Sequence, residues 1–287
     1  MRVSNFIMIL LVICTMLFGA CASEKDYLVT IKTEYGDMHA ILYDETPQHK
    51  ENFIKLAKEG FYDSLLFHRV IEDFMIQTGD PDSKNAKPGR PLGSGGPGYQ
   101  IPAEFDKDLY HAKGALSAAR TNNPEKKSSG SQFYIVQGKK WTEKELTTDM
   151  NKCGAAARQL MERGDQDSVK QMLINIYQTE GPEAYGNKLI EMRDYISEVM
   201  QIDLTKEIAP ERLKTYTTIG GAPHLDDEYT VFGKVIDGLE VIDKIAAQPT
   251  DQRDRPTSDI RMIVEVEELP KKKITKLYGY EFPKEEK

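Results

Sequence analysis

The stretch FHRVIEDFMIQTGD, residues 67 to 80, sets hydrogen-bond donors directly beside apolar side chains. Its donors are His68, Arg69 and Gln77, and most of the residues around them are apolar. One interpretation is an amphipathic strand whose arginine is simply an exposed charge. The other is an apolar pocket with a guanidinium aimed into it, where the exclusion of water strengthens a hydrogen bond to a reacting group. The second interpretation predicts chemistry that depends on a fixed donor in a water-poor site.

The residues that could support metal or covalent chemistry are poorly placed. Cys153 lies in KCGAAARQL, a helix-favouring stretch with no histidine nearby, so we expect inert packing or a surface position. GSGGPG, residues 93 to 98, lacks the Lys-Ser/Thr that follows a phosphate-binding loop. The histidines show no ligand spacing, and they are His39, His49, His68, His111 and His224. We therefore expect no metal site and no cofactor.

The composition is that of an ordinary globular protein. The 287 residues are 39% hydrophobic and 29% charged, and the formal net charge is -8. A chain of this length is expected to form one or two domains. Because nucleic-acid-binding proteins normally present a basic face, an acidic chain argues against a nucleic-acid partner.

The N-terminus has the pattern of an export signal. A cation in MRVSN precedes an apolar run over residues 6 to 20, which is short for a membrane span of ~20 residues. LFGAC then resembles the lipobox of bacterial lipoproteins, with Phe18 where that motif usually has leucine. The resemblance predicts a lipoprotein signal peptide over 1–20, a lipid on Cys21 and a tether over 21–26. An ordinary cleaved signal and an uncleaved anchor remain alternatives.

A lipid on Cys21 would hold the protein on a membrane of the bacterial cell envelope, on a periplasmic or surface-facing side. Cys14 lies in the apolar run, so Cys153 is the cysteine left in the exported part of the chain. We therefore expect no structural disulfide.

Short strands are predicted downstream of the tether. Residues 27 to 43 alternate around a Tyr-Gly-Asp turn and indicate a hairpin. Thr46 can cap a helix that has Pro47 at its first position, and Gly60 can end it. Residues 66 to 137 are short strands separated by Gly, Pro and Asn, which favours an antiparallel sheet or barrel.

Helices then interrupt this β pattern. Residues 142–219 are polar and helix-favouring, with apolar stripes at i, i+3, i+4 and i+7. Strand character returns at 228 to 235, a helix is predicted over 238 to 246, and a last strand over 259 to 269. The charged tail, 270–287, is expected to be solvated and partly disordered.

Five blocks of the sequence together resemble the cyclophilins, the peptidyl-prolyl cis/trans isomerases. The blocks, in the order and spacing of that family, are FHRVIEDFMIQTGDP, GSGGPGYQIPAEF, ALSAART, SGSQFYIV and HLDDEYTVFGKVIDGLEVID. The resemblance places a cyclophilin-type domain at 27–141 and 220–269, with 142–219 as a helical insertion. It implies a mainly β fold, an eight-stranded antiparallel barrel capped by two α-helices.

The resemblance also implies which residues act. Arg69 matches the catalytic arginine, and His68 and Gln77 match neighbours that hold the substrate backbone, with Gln77 able to orient the guanidinium. The matches expected to bind the substrate, in the proline pocket and along its rim, are Phe74, Met75, Ala119, Arg120, Gln132, Tyr134, His224, Leu225 and Tyr229.

The implied activity is isomerisation of X-Pro bonds in proline-containing peptides and unfolded exported proteins. The alternative is a catalytically weak binding module or chaperone that uses the helical insertion. Three positions depart from the family pattern. His224 stands where many cyclophilins carry an indole that contacts cyclosporin, Tyr229 where some have histidine, and Tyr134 where many have phenylalanine. We therefore expect weak cyclosporin binding with activity retained, and the substrate preference stays open.

Overall fold

The computed structural model describes residues 24 to 283, so the predicted signal peptide and Cys21 lie outside the described residues. The described strands form two antiparallel sheets. They are β1 (Lys25–Thr33), β2 (Gly36–Leu42), β3 (Leu65–Leu66), β4 (Arg69–Ile71), β5 (Met75–Thr78), β6 (Gln100–Ile101), β7 (Ala115–Ala118), β8 (Ser128–Ser129), β9 (Phe133–Val136), β10 (Val231–Asp237) and β11 (Arg261–Pro270). The larger sheet has the order β3-β11-β1-β2-β10-β7-β9-β5-β4, and β6 pairs with β8.

The segment from 65 to 71 joins the two ends of the larger sheet. Its first part, β3, pairs with β11, and its last part, β4, pairs with β5. Between them the backbone N–H of Phe67 donates to the carbonyl of Ile260, and that of His68 donates to the carbonyl of Gln77, each at 3.0 Å. Counting β3 and β4 as one bent strand, the sheet is a closed ring of eight strands. The predicted antiparallel barrel is therefore confirmed.

Helices lie between and around the strands. They are α1 (Pro47–Lys58), α2 (Glu143–Thr147), α3 (Met150–Glu162), α4 (Asp167–Thr179), α5 (Gly181–Glu191), α6 (Arg193–Met200), α7 (Pro210–Thr218), α8 (Leu239–Ala246) and α9 (Lys271–Tyr278). The helices α1 and α8 cover the barrel, as predicted, and bury Phe53, Leu56, Val241 and Ile245 in its core. Within residues 24 to 283, every helix is too short or too polar to cross a membrane.

The start of α1 differs from the prediction. Thr46 stands at the N-cap position, but its hydroxyl donates to the carbonyl of Tyr43 at 3.4 Å and does not cap the helix. The carboxylate of Glu104 does so instead, because it accepts from the backbone N–H groups of Gln48 and His49, both at 3.0 Å. A negative charge at a helix N-terminus is also favoured by the helix dipole.

The helices α3 to α6 build an apolar cluster of their own, apart from the barrel core. Its fully buried members include Cys153, Leu160, Leu173 and Ile196. Burial raises the pKa of the Cys153 thiol, and the thiol donates to the carbonyl of Leu189 at 3.6 Å. Cys153 therefore packs as the inert residue expected from its sequence context.

The expectation of a solvated and partly disordered tail is wrong in one respect, because residues 271 to 278 form a helix, although three of its four lysines are exposed. The helix α9 packs on the barrel, and Ile274 is 0% exposed in a cluster with Leu28, Ile41 and Leu269. The sequence suggested solvent because lysines dominate the segment. A single buried residue in an eight-residue helix gives no repeating pattern that could register as an apolar stripe. Residues 284 to 287 lie outside the described residues.

Candidate active site

Alternation along two paired strands divides the stretch 67 to 80 between two faces. Strands β4 and β5 pair antiparallel, with Arg69 opposite Gln77. Val70 and Ile76 point into the barrel core and are 1% and 0% exposed. Because successive side chains of a strand point in opposite directions, Arg69, Met75 and Gln77 share the outer face.

The outer face carries a second apolar cluster, which we call the outer cluster. Phe74 and Tyr229, which are partly buried, bring it to the surface. The rings of Tyr134 and Tyr229 meet edge to face with centroids 6.0 Å apart, and the ring of Phe74 lies 5.2 Å from that of His224. Six of the predicted substrate-binding residues belong to the outer cluster, and they are Phe74, Met75, Ala119, Tyr134, Leu225 and Tyr229. Such a cluster can receive a small apolar group of a ligand.

The guanidinium of Arg69 is held loosely. Its side chain is 42% exposed, and its Nε lies 3.4 Å from Oδ2 of Asp254, which is 43% exposed. An ion pair this exposed contributes about 0 to 1 kcal/mol and leaves the guanidinium able to find another partner. Gln77, which we expected to orient it, instead donates from Nε2 to Oε1 of Gln132 at 3.1 Å.

Gln132 holds one wall of a groove beside Gln77. Its Nε2 donates to the carbonyls of Gly93 and Gly95 at 3.0 and 2.7 Å. The groove has a volume of about 500 Å³ and is lined by Gln77, Gln132, the glycine-rich loop and the backbone around Ala119. The Gln77 and Gln132 amides thus present fixed polar groups next to the outer cluster, which suits recognition of an extended peptide backbone.

Arg120, which also lines this groove, is held by partners of its own. Its Nη2 donates to the carboxylate of Glu228 and its Nε donates to the Glu228 carbonyl, both at 3.1 Å. The guanidinium carbon lies 4.6 Å from the centroid of the Tyr229 ring. Arg120 therefore supports the outer cluster at Tyr229, with its side chain only 9% exposed.

His68 lies beneath the glycine-rich loop. It is 4% exposed, and its ring faces Gly93. Burial lowers the pKa of His68 to about 4, so its ring is neutral near pH 7. A neutral, buried imidazole supports the loop and offers no positive charge to a ligand.

Behind the outer cluster runs a buried chain of hydrogen bonds. The hydroxyl of Tyr134 lies 3.0 Å from Nε2 of His111, and Nδ1 of His111 lies 3.0 Å from Oδ1 of Asp226. The hydroxyl of Tyr216, on α7, donates to Oδ2 of Asp226 at 2.7 Å, and Arg212 of the same helix donates to that oxygen at 3.3 Å. The helical insertion is therefore linked, through Asp226 and His111, to Tyr134 of the outer cluster.

The charges in this chain are balanced within it. Burial alone would raise the pKa of Asp226, but the hydrogen bonds from His111 and Tyr216 lower the pKa of that carboxyl overall. Burial raises the pKa of Tyr134 well above its usual range, so its hydroxyl stays protonated. His111 can therefore donate to Asp226 from one ring nitrogen and accept from Tyr134 at the other.

Sequence reasoning missed His111, Asp226 and Tyr216. A signal was available at Tyr134, because a tyrosine that replaces a buried phenylalanine must find a partner for its hydroxyl. Within residues 24 to 283, no three His, Cys, Asp or Glu side chains are placed to hold a metal ion.

Comparison with known proteins identifies the family. The sequence model described as cyclophilin type peptidyl-prolyl cis-trans isomerase/CLD matches residues 28–152 and 204–268. A Staphylococcus haemolyticus protein named as a peptidyl-prolyl cis-trans isomerase is 30% identical over 83% of this chain and 89% of its own length. A Streptococcus pyogenes protein named as a bifunctional phosphatase/peptidyl-prolyl cis-trans isomerase is 34% identical over 81% of this chain, which spans 37% of that protein.

Among solved structures, the chain is similar to a Cryptosporidium parvum cyclophilin-type isomerase. The TM-score is 0.49 at 20% identity, over 86% of this chain and all of that one. A second structure of the same protein, in the presence of the dipeptide Ala-Pro, has a TM-score of 0.47 at 20% identity, over 83% of this chain and 96% of that one.

The chain belongs to the cyclophilin-type peptidyl-prolyl cis-trans isomerases, on the strength of the family match and the Staphylococcus relative. This confirms the resemblance on which the site residues were predicted. The match runs to residue 152 and resumes at 204, whereas 142–219 was predicted as the insertion. The roles of the individual site residues, and the domain limits, remain predictions.

Proposed function

We propose that this chain accelerates cis/trans isomerisation of X-Pro bonds in exported proteins, from a lipid anchor in the bacterial cell envelope. The observation that carries the catalytic part is the position of the loosely held Arg69 guanidinium on the same barrel face as Phe74 and Met75. Its substrates would be proline-containing segments of unfolded chains.

The reaction needs no nucleophile. The barrier to isomerisation, about 18 to 20 kcal/mol, is the loss of amide resonance as the C–N bond twists. Uncatalysed exchange at X-Pro bonds takes tens to hundreds of seconds at 25 °C. The task of the protein is therefore to stabilise the twisted amide more than the planar one.

Arg69 is suited to that differential stabilisation. In the twisted state the prolyl nitrogen regains a localised lone pair, which a guanidinium can meet with a hydrogen bond that the planar amide cannot accept. An interaction made only in the transition state raises the rate. The guanidinium stays charged at any physiological pH, and its weak pairing with Asp254 leaves N–H groups to donate.

One hydrogen bond is not enough. An acceleration of ~10⁵-fold needs about 7 kcal/mol, whereas a hydrogen bond to a charged group contributes about 1.5 to 3 kcal/mol. The rest must come from the outer cluster, which would hold the proline ring on Phe74, Met75 and Leu225 and exclude water from the Arg69 contact. The ring is then fixed while the preceding residue rotates.

The polar groups beside the outer cluster would hold the substrate backbone. Gln132 is fixed by two loop carbonyls and in turn fixes Gln77, so both amides are already oriented. His68 would act through the loop, since its ring is buried and neutral. No proton transfer is required of it.

A protease-coupled peptide assay tests the catalytic role of Arg69. We expect Arg69→Ala to lower kcat/KM on the order of 10² to 10³-fold, the usual effect of removing one transition-state donor. The matched control is Arg90→Ala, because Arg90 is also exposed and weakly paired, 3.8 Å from Asp82, and should leave the rate unchanged. Wild type and Arg69→Ala both at the uncatalysed rate would contradict the proposal.

The anchoring part rests on the sequence of residues 1 to 21. Cell fractionation tests it with two cysteine variants. Cys21→Ser should move the protein from the membrane fraction to the soluble fraction, whereas Cys153→Ala, which changes a buried residue of the insertion, should not. Membrane retention of Cys21→Ser would favour an uncleaved anchor.

A second candidate function is a holding site for unfolded chains. A cleft of about 450 Å³ lies between the insertion and the barrel rim, and His224 lines it as well as meeting Phe74. Met150, at 39% exposure, lines the cleft, whereas Ile202, at 38%, is not among its lining residues. For this function, Met150→Glu should weaken suppression of client aggregation and Ile202→Glu should not. Equal effects of the two would exclude it.

A further inference from the structure

The helix α9 carries a basic surface that the isomerase site does not use. Lys271, Lys272, Lys273 and Lys276 all lie on it, in a chain whose net charge is -8. Lys271 is 3.7 Å from the carboxylate of Glu24. The other three are exposed, and within residues 24 to 283 they form no ion pair. Three cations therefore point to solvent from one short helix.

The same helix exposes a large apolar residue. Ile274 is 0% exposed and fixes α9 to the barrel, whereas Leu277 is 56% exposed. Residues 273, 276 and 277 are spaced i, i+3 and i+4, so Lys273, Lys276 and Leu277 are neighbours on the helix surface. Lysines flanking an exposed leucine are typical of helices that lie in a membrane interface.

The position of α9 relative to the predicted lipid is set by the sheet. Lys25 pairs with Pro270, and the backbone N–H of Lys271 donates to the carbonyl of Glu24 at 2.8 Å. Cys21 precedes Glu24 by three residues, a span of at most ~11 Å of extended chain. Because a helix of this length is ~12 Å long, all its lysines lie within ~25 Å of the lipidation site.

The acidic residues near Glu24 and α9 do not neutralise the positive charge of the three exposed lysines. Glu24 is taken up by Lys271, and Asp26 is paired with Lys50 at 2.7 Å. Glu281, just after α9, is exposed and is the one acid between residues 271 and 283. Asp44 is paired with Lys50 at 2.6 Å. Asp237 and Glu267 lie near Tyr278, and Glu45 lies near Tyr280. At about 100° per residue, Tyr278 is on the side of α9 away from Lys272, Lys273 and Lys276, so the positive charge is concentrated on that exposed side.

We infer that α9 is a membrane-contact surface that binds anionic phospholipid headgroups of the bilayer holding Cys21. Lys272, Lys273 and Lys276 would lie on the headgroup phosphates, and Leu277 would reach the boundary of the acyl chains. This inference rests on the proposed function in one respect, because the lipid on Cys21 would bring α9 to the membrane. Basic residues near an anionic leaflet add to the hold of an acyl anchor, and together two such signals give stable attachment.

Vesicle co-sedimentation tests the inference on the mature chain, residues 21 to 287, with Cys21→Ser. Without a lipid, binding depends on the protein surface alone, so the result does not depend on whether Cys21 is lipidated in cells. We expect binding to mixed phosphatidylcholine and phosphatidylglycerol vesicles, weak binding to phosphatidylcholine alone, and loss of binding at high salt.

A matched pair of triple variants locates the surface. Lys272→Glu/Lys273→Glu/Lys276→Glu should lower vesicle binding at least tenfold. Lys107→Glu/Lys140→Glu/Lys214→Glu makes the same charge change at exposed lysines elsewhere and should have little effect. The α9 triple should remain folded and active, because the three lysines are exposed and Ile274, which fixes the helix to the barrel, is unchanged.

Three results would overturn the inference: no binding to the anionic vesicles, equal losses in the two triple variants, or full binding by the α9 triple. Isomerase turnover is measured on the same samples. Absent turnover in wild type would count against the proposed function and leave the vesicle result standing by itself.

Discussion

The residues on the two faces of strands β4 and β5 pack against different clusters. On the inner face, Val70 and Ile76 join the large apolar core of the barrel. On the outer face, Met75 joins a cluster that reaches the surface and is backed by the hydrogen-bonded chain from Tyr134 to Asp226. A shift of one residue along a strand thus separates packing from ligand binding, because alternate side chains point to opposite faces.

This difference explains how a guanidinium can lie beside apolar residues without a large cost. Arg69 is not buried among them, since it shares a strand with Val70 but points to the opposite face. The inner face supplies stability and the outer face supplies binding. If the division holds, substitutions on the two faces should alter different measurements.

The largest effect is expected from Ile76→Ala on the inner face. Ile76 is 0% exposed, and replacing a buried isoleucine with alanine typically lowers the free energy of unfolding by about 2 to 5 kcal/mol. Urea unfolding should show this loss, while kcat/KM of the folded fraction stays near wild type. Met75→Ala should lower kcat/KM as well as stability. Equal loss of kcat/KM in both would break the division between the faces.

Next in size is a pH effect from His68. Its pKa is about 4 in the fold, against an ordinary value of 6.5. As pH falls below ~6.5, the unfolded chain takes up a proton that the folded chain does not bind until about pH 4, so stability falls through this window, by roughly 2 to 3 kcal/mol. Urea unfolding at pH 7 and pH 4.5 should show a smaller drop for His68→Gln than for wild type. Identical drops would mean that His68 is not buried neutral.

A smaller effect is expected from the chain behind the outer face. Asp226→Asn removes the charge that accepts from His111, Tyr216 and Arg212, which should cost about 1 to 3 kcal/mol of stability. We also expect a several-fold fall in kcat/KM, because Tyr134 loses its fixed position. Tyr216→Phe removes one donor and should show less of both changes. Unaltered turnover in Asp226→Asn would mean that the hydrogen bonds to the insertion do not affect catalysis in the pocket.

The smallest effect concerns the rim at His224. This residue meets Phe74 through its ring but offers less surface than the indole common at its position. We expect weak cyclosporin binding in wild type and tighter binding in His224→Trp, with peptide turnover little changed in either. Sub-micromolar inhibition of wild type would contradict this expectation.

Local patterns in the sequence predict the elements whose hydrophobic periodicity and turn residues lie within the element itself. The hairpin, α1, α8 and the strands around Arg69 follow from alternation, helical spacing and turn residues within a few positions. The cap on α1 could not be found this way, because Glu104 lies 55 residues from His49. The bond between His111 and Asp226 spans 115 residues. Contacts of that range depend on the closed barrel.

For the tail, the prediction failed because a local contact was missed. Its lysines predict solvent exposure, and three of the four on α9 are exposed, but Ile274 between them is fully buried. Composition alone does not distinguish a free segment from a helix held by one side chain. The family resemblance predicts the pocket residues and gives no prediction for α9.

The closure of the barrel also sets an order of events. The segment that carries Arg69 is completed by residues near the C-terminal end of the chain, since Ser64, Phe67 and Val70 donate to Met262, Ile260 and Asp254. A chain that folds as it emerges, N-terminus first, cannot position Arg69 until these last residues have arrived. Its own prolines, up to that moment, must isomerise unaided or with help from another molecule.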